Sequence, residues 1–150
     1  MEKKSLIIKD FSWEDKEVVM EITSYSNNNQ LAILLYEKET GEYYCDLSVN
    51  VTDFWDEVKC WDYIAVDVNN CPNAEEFIQR NELWELVDYV HSWFVSYPVY
   101  RMYPNMLSMY NFDEYNEYLK LHGWGVEKHL SKDAPFEEWW KTLWDRLKWE

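Results

Sequence analysis

The sequence EVVMEITSYSNNNQLAILLYEKETGEYYCDLSVN at residues 17–50 predicts an antiparallel sheet. Residues 17–24 alternate between apolar and mostly polar side chains, which is the period of a half-buried strand. Residues 31–37 are mostly apolar and predict a central second strand, whereas residues 42–50 alternate again and predict a third. Because the connections between them are short, we expect these strands to form a meander.

Turn residues join the predicted strands. The Asn-rich segment 26–29 and the segment that ends at Gly41 contain residue types that tolerate a left-handed backbone. One face of the sheet is apolar, and the other carries Glu17, Glu21, Glu42 and Asp46. A polar face is typical of an ordinary solvated sheet. Carboxylates on neighbouring strands nevertheless repel each other, by about a few tenths of a kcal/mol per pair, so we treat this face as a candidate binding surface.

The remaining patterns predict an α+β fold, with a short helix inserted into the antiparallel sheet and a Trp-rich helical module at the C-terminus. We expect a loop or short helix at residues 51–60, a strand at residues 61–68, a helix at residues 74–81 that can continue through residues 82–90, one or two strands at residues 91–103 broken at Pro98, and a helix at residues 111–121 capped by Asn111. Residues 1–150 then form a single domain, with mainly antiparallel sheet over residues 1–105 and a helical extension packed on it over residues 106–150.

The C-terminal sequence FEEWWKTLWDRLKWE predicts a strongly amphipathic helix. Its apolar face includes Trp140 and is widened by Trp139 and Trp144. One interpretation is that this face packs on the sheet. The other is that it binds a partner or a second copy of the chain, because tryptophan is enriched at binding hot spots. The candidate self-association residues are Trp139, Trp140 and Trp144.

The charge balance excludes several classes of partner. Lys and Arg number 14 against 29 Asp and Glu, and the formal net charge is −15. Nucleic-acid binding requires cationic groups that displace counterions from phosphates, and anionic membranes repel an acidic surface. We therefore expect no direct binding to nucleic acid or membrane, and attraction to basic proteins instead. The alternative is that the acidity serves solubility alone.

Motifs for catalysis, metals or cofactors do not occur. The cysteines, Cys45, Cys60 and Cys71, form no C-x-x-C pair, and no G-x-S-x-G elbow or Gly-rich nucleotide loop is present. We therefore predict a non-enzymatic protein without metal or cofactor, and an enzyme whose site is assembled only by folding is a further option. The first residues lack a signal-peptide pattern and no apolar run of spanning length occurs, so we predict a cytoplasmic protein with reduced thiols.

Several segments resemble a small family of uncharacterised proteins that is common on phages, plasmids and conjugative elements of Gram-positive gut bacteria. The similar segments are Tyr25 to Leu35, Gly41 to Tyr44 with Leu47 to Asn50, Asp67 to Ala74 with Phe77 and Ile78, and Ser96 to Tyr100. The resemblance covers about residues 17–103, and the last 45 or so residues look like an added helical module. It implies no catalytic residues and a mobile-element setting, in which small acidic proteins that disarm host defence are frequent.

Two hypotheses follow from the charge and the resemblance. In the first, carboxylates on a rigid sheet imitate the phosphates of DNA and dock in the basic channel of a CRISPR effector or restriction nuclease of the bacterial host, with aromatic side chains as anchors. The candidate partner-binding residues are Glu17, Glu21, Glu39, Glu42, Tyr44, Asp46, Asp53, Asp56 and Glu57. In the second, the chain is an accessory or scaffolding protein that self-associates through its C-terminal aromatic helix, so that a monomer and a homodimer both remain open.

Overall fold

The computed structural model describes residues 3–52, 54, 62–92 and 94–123, and it places them in two four-stranded antiparallel sheets and a set of short helices. The first sheet has the order β1 (Leu6–Lys9), β2 (Asp15–Ser24), β3 (Leu31–Glu37), β4 (Tyr43–Asp46). The second has the order β5 (Ser48–Val49), β6 (Tyr63–Val66), β8 (Val95–Met102), β7 (Trp84–Ser92). The helices are α1 (Ala74–Arg80), α2 (Pro104–Tyr110) and α3 (Phe112–Leu121). The expected α+β class and the β2–β3–β4 meander are confirmed.

The chain passes from one sheet to the other at Leu47. The predicted third strand, residues 42–50, is therefore divided into β4 and β5. The Leu47 amide donates to the Ile33 carbonyl of the first sheet at 2.9 Å, and its carbonyl accepts from the Asp67 amide, next to β6, at 2.9 Å. Both polar groups of this fully buried residue are thus satisfied by different sheets.

A continuous apolar core joins the two sheets and the helices. Val18, Met20 and Ile22 of β2 are buried, as their alternation predicted. They belong to one cluster with Ile64 of β6 and Tyr115 of α3. A smaller cluster forms around Ala65 and Val99 of the second sheet, with Val49, Val51, Phe54, Tyr63, Val90 and Tyr97 packed against it.

The predicted continuation of the helix through residues 82–90 is wrong. Helix α1 ends because Glu82 adopts a left-handed backbone with φ of 53°, and the Leu83 amide donates back to the Ile78 carbonyl at 3.1 Å. Residues from Trp84 onward then form β7, where they pair with β8. The end of a helix is difficult to predict from sequence when the residue with the left-handed backbone is not a glycine.

The predicted break at Pro98 is also wrong, because β8 runs without interruption from Val95 to Met102. On one side of β8, Pro98 pairs with Tyr89 of β7. On the other side, β6 pairs with Val99, Tyr100 and Arg101 and does not reach Pro98. The strand is therefore an edge on that side at Pro98, where proline is tolerated. Strand β1 and helix α2 were not predicted, since each is short and has weak periodicity.

Asn111 connects helix α3 to the part of the β2 edge that β1 does not cover. The predicted cap is confirmed, since its side-chain oxygen accepts from the Glu114 amide at 3.3 Å. Its amide nitrogen donates to the Met20 carbonyl at 2.8 Å and to Glu114 Oε1 at 2.6 Å, and Glu114 Oε1 accepts from the Ile22 amide at 2.8 Å. Strand β1 pairs with β2 only as far as Val18. The cap therefore satisfies the backbone groups that β1 leaves unpaired.

Asn111→Ala tests this connection. We expect it to lower the free energy of unfolding by about 1–3 kcal/mol, because it removes a helix cap and leaves buried backbone groups unsatisfied. Urea unfolding followed by tryptophan fluorescence measures the change. The matched control is Asn105→Ala at an exposed position of α2, which we expect to stay within about 0.5 kcal/mol. Equal effects for the two variants would contradict the role of Asn111.

Candidate functional site

Two carboxylates and two tyrosines form a connected group on the first sheet. The strand register places Glu21 of β2 beside Leu34 of β3, and Leu34 beside Asp46 of β4. The Glu21 carboxylate interacts with the Tyr36 hydroxyl, and the Tyr43 hydroxyl donates to Asp46 Oδ1 at 3.0 Å. The two tyrosine rings meet edge to face with centroids 6.0 Å apart. We call these four residues, Glu21, Tyr36, Tyr43 and Asp46, the Tyr–carboxylate patch.

The tyrosines of the patch remain protonated at neutral pH. The interaction with Glu21 raises the pKa of Tyr36 above its ordinary value of 10.0. Partial desolvation and the neighbouring Asp46 carboxylate raise the pKa of Tyr43 to about 12. The Tyr43 hydroxyl therefore donates to Asp46, whose remaining lone pairs can accept from a cationic ligand.

An acidic groove of about 430 Å³ lies between β2 and α3, next to the patch. Its lining includes Glu21, Asp113, Glu114, Glu117 and Tyr118, so that Glu21 belongs to both the groove and the patch. Glu114 has a structural task, since its Oε1 binds the β2 edge and its Oε2 pairs with Lys3 at 3.1 Å. Glu117 pairs with Lys120 at 3.1 Å. We call this cavity the acidic groove, and its four carboxylates are those of Glu21, Asp113, Glu114 and Glu117.

Among the predicted site residues, only Glu21 and Asp46 lie in the patch. Glu17 already has two partners, because Ser5 donates to its carboxylate at 2.6 Å and Lys38 lies 3.3 Å away. These two contacts lower its pKa below the ordinary value of 4.5. Glu39 and Glu42 are exposed in the β3–β4 hairpin.

Tyr44 does not share the surface of Asp46, although the alternation of residues 42–50 predicted that it would. A β-bulge aligns Cys45 with Leu35 and Tyr43 with Tyr36, so that Tyr44 is the extra residue. Tyr44 packs against the core, with the Lys16 ammonium 5.3 Å from its ring centroid, and burial raises its pKa to about 12. Tyr43, 55% exposed, instead lies beside Asp46.

The other predicted site residues lie outside the part of the chain that the structure describes. They are Asp53, Asp56 and Glu57 of the candidate partner-binding set and Trp139, Trp140 and Trp144 of the candidate self-association set.

Sequence reasoning missed Tyr36, Tyr43 and the carboxylates that α3 contributes. Asp113 and Glu117 are four positions apart on a predicted helix, which places them on one face. That spacing was a usable signal, but only the packing of α3 against β2 brings this face to Glu21. The bulge that turns Tyr43 toward Asp46 has no comparable signature.

The patch and the groove are acidic, and carboxylates are acceptors for cationic groups. In the described ranges, no group of three or more histidine, cysteine or acidic side chains is placed to hold a metal ion. His122 Nε2 hydrogen-bonds with the Asn29 carbonyl at 2.9 Å, and burial lowers its pKa below 6.5. Within the same ranges, no helix combines the length and apolar character needed to cross a membrane.

A carboxylate that is held by a tyrosine hydroxyl, such as Asp46, is suited to charge-assisted hydrogen bonds with lysine and arginine.

A protein-family comparison matches residues 19–121 to the family described as Domain of unknown function (DUF4313). The chain belongs to the DUF4313 family. The DUF4313 region contains the whole Tyr–carboxylate patch and the whole acidic groove, and it excludes Glu17 and the C-terminal tryptophans. It extends past residue 103, where the sequence resemblance ended, and thus includes α3. Comparisons with curated proteins and with solved structures found no match.

The ion pair of Glu17 predicts a pH-dependent contribution to stability. Because folding lowers the pKa of Glu17, its contribution is present above the ordinary value of 4.5 and is lost as pH falls through the folded-state value. Glu17→Gln should therefore lower the urea midpoint at about pH 7 and have a smaller effect at about pH 3.

The matched control for this variant is Glu42→Gln, which removes an exposed carboxylate that has no ion pair among the described residues. We expect it to change the midpoint less at about pH 7. An equal effect of Glu17→Gln at both pH values would show that the ion pair does not contribute.

Proposed function

We propose that this DUF4313 protein is a non-enzymatic interaction protein that binds a basic surface of another protein. The observation that carries the proposal is the position of Glu21, which belongs to both the Tyr–carboxylate patch and the acidic groove. The two features therefore offer adjoining anionic contacts to one partner. Among the described residues, neither Glu21 nor Asp46 has an ion pair that would neutralise it.

Charge and aromatic content support such binding in different ways. The net charge of −15 attracts a basic partner over long range and speeds encounter. Tyr43 supplies a large side chain, 55% exposed, whose hydroxyl is already held by Asp46. Tyrosines with limited rotamer freedom are effective anchors at interfaces. The carboxylates that attract a basic partner and the tyrosine that anchors it therefore lie on the same face of the sheet.

We further propose that the partner is a host defence nuclease, either a CRISPR effector or a restriction enzyme, and that the protein occupies its DNA channel by imitating phosphates. A nuclease channel is lined by lysine and arginine side chains that bind phosphate oxygens, and carboxylates offer them similar acceptors. The resemblance to proteins of phages, plasmids and conjugative elements of Gram-positive gut bacteria supports this setting. In such a setting the protein acts in the cytoplasm of the bacterial host.

A charge reversal at the patch tests the proposal. Glu21→Lys with Asp46→Lys should weaken binding to a sensitive nuclease at least tenfold, about 1.4 kcal/mol, because two attractive contacts become repulsive. The measurements are surface plasmon resonance and DNA-cleavage inhibition against a panel of purified CRISPR effectors and restriction endonucleases. Wild-type binding should also weaken as salt rises.

The matched control reverses the same number of charges away from the patch, as Glu14→Lys with Glu82→Lys. Both positions are exposed, in the turn before β2 and in the turn before β7. We expect inhibition close to that of the wild type. If both double variants inhibit equally, mimicry through the patch is wrong, and if no nuclease is bound at low salt, the nuclease proposal is rejected.

Self-association is a second candidate function, and an exposed edge strand favours it. β7 lies at the edge of the second sheet, and Leu86, Val87 and Tyr89 are between 38% and 52% exposed on it. Unpaired strand edges with apolar side chains are sites at which a second chain can add. A second copy of the chain is the partner that this candidate requires.

Light scattering coupled to size-exclusion chromatography tests this second candidate. If copies join along β7, the full chain elutes as a dimer, and Leu86→Lys with Tyr89→Lys elutes as a folded monomer, because lysine on an edge strand opposes pairing. A monomeric wild type would contradict the candidate, and so would a dimer that survives the substitutions.

A further inference from the structure

Cys45 and Cys71 are free thiols in the structure, and we infer that they form an intramolecular disulfide under oxidising conditions, whereas the sequence predicted reduced thiols. Their sulfur atoms lie 2.7 Å apart, and the side chains are 4% and 1% exposed. Cys45 belongs to β4 of the first sheet, whereas Cys71 follows β6 of the second sheet and precedes α1. This inference concerns the stability of the fold and is independent of the proposed function.

The backbone around each cysteine is held in place by contacts of its own. Cys45 lies on β4, the last strand of the first sheet, and pairs there with Leu35 of β3. The Cys71 amide donates to the Asp67 carbonyl at 2.9 Å, and Asn73, two residues later, donates from its side chain to the carbonyls of Lys9 and Asp10 at 3.0 Å. The sulfurs are thus brought together by two independently ordered segments. Closing to a covalent length of about 2.05 Å requires a movement of about 0.7 Å.

Thiol–disulfide exchange with oxidised glutathione forms the bond in two steps. One cysteine thiolate attacks oxidised glutathione, which forms a mixed disulfide and releases one glutathione thiolate. The second cysteine thiolate then attacks the protein sulfur of that mixed disulfide and releases the second glutathione. The two cysteines together lose two protons and two electrons, and one glutathione disulfide becomes two glutathione thiols.

Burial makes this exchange slow in the folded protein. The contact with Cys71 and the loss of solvent raise the pKa of Cys45, which depletes the reactive thiolate. We therefore expect the bond to form mainly while the chain folds, or after local opening, and to resist reduction once it is buried. Its residues are 26 positions apart, so that the bond constrains a substantial loop of the unfolded chain.

Refolding of the full-length Cys60→Ser variant in a glutathione redox buffer tests the inference. We expect an intact mass lower by two hydrogens, and a tryptic peptide that joins residues 39–59 to residues 60–80. In denaturant, the oxidised variant should have a folded-to-unfolded ratio at least tenfold higher than after treatment with dithiothreitol. The control variants are Cys45→Ser with Cys60→Ser and Cys71→Ser with Cys60→Ser, which keep one cysteine each and should show neither the loss of two hydrogens nor the joined peptide.

Two free thiols in refolded Cys60→Ser, counted with a thiol reagent, would overturn the inference. Peptide mapping of the oxidised wild type, with fragment ions that separate Cys60 from Cys71, gives a second test that needs no substitution. A bond that includes Cys60 would overturn the inference in the same way. Circular dichroism of Cys60→Ser and Cys60→Ala establishes that the variants are folded.

Discussion

The fold depends on the crossing of the chain at Leu47. A buried backbone residue must satisfy both its amide and its carbonyl, and Leu47 does so by bonding to Ile33 of one sheet and to Asp67 beside the other. Ser48 strengthens the same junction, because its hydroxyl accepts from the Ile33 amide at 2.9 Å and hydrogen-bonds with Tyr25 at 2.8 Å. One core can then serve two sheets that are each only four strands wide.

The two residues just before Leu47 lie on opposite faces of the first sheet. Asp46 is exposed and bound by Tyr43, whereas Cys45 is buried against Cys71. Strand alternation places Asp46 and Cys45 on opposite faces, and the β-bulge at Tyr44 brings Tyr43 to the face of Asp46. A candidate interaction surface and a candidate crosslink therefore begin at adjacent positions of β4, one on each side of the first sheet.

Acidic residues have at least two different tasks in this protein. Glu114 and Glu17 stabilise the fold, because one completes the β2 edge and the other is held by Ser5 and Lys38. Glu21 and Asp46 instead hold their charge beside tyrosine hydroxyls on the first sheet. The sequence pattern identified Glu17, Glu21 and Asp46 together, since alternation gives the face of a strand but not the ion pairs its residues make. The helix start at Asn111 was also predictable, because capping is a local interaction of neighbouring residues.

By itself, the sequence determined the α+β class, the β2–β3–β4 meander, the net charge and the uncharacterised family to which the chain belongs. The class, the meander and the charge follow from side-chain periodicity, turn chemistry and composition, all of which act over short stretches of chain, whereas the family follows from the resemblance of several segments. Only the tertiary structure decided that Leu47 joins two sheets, that α3 brings Asp113 and Glu117 to Glu21, and that Cys45 meets Cys71. Each of these contacts joins segments far apart in sequence, and they form because buried polar groups and apolar faces must find partners wherever the chain can supply them.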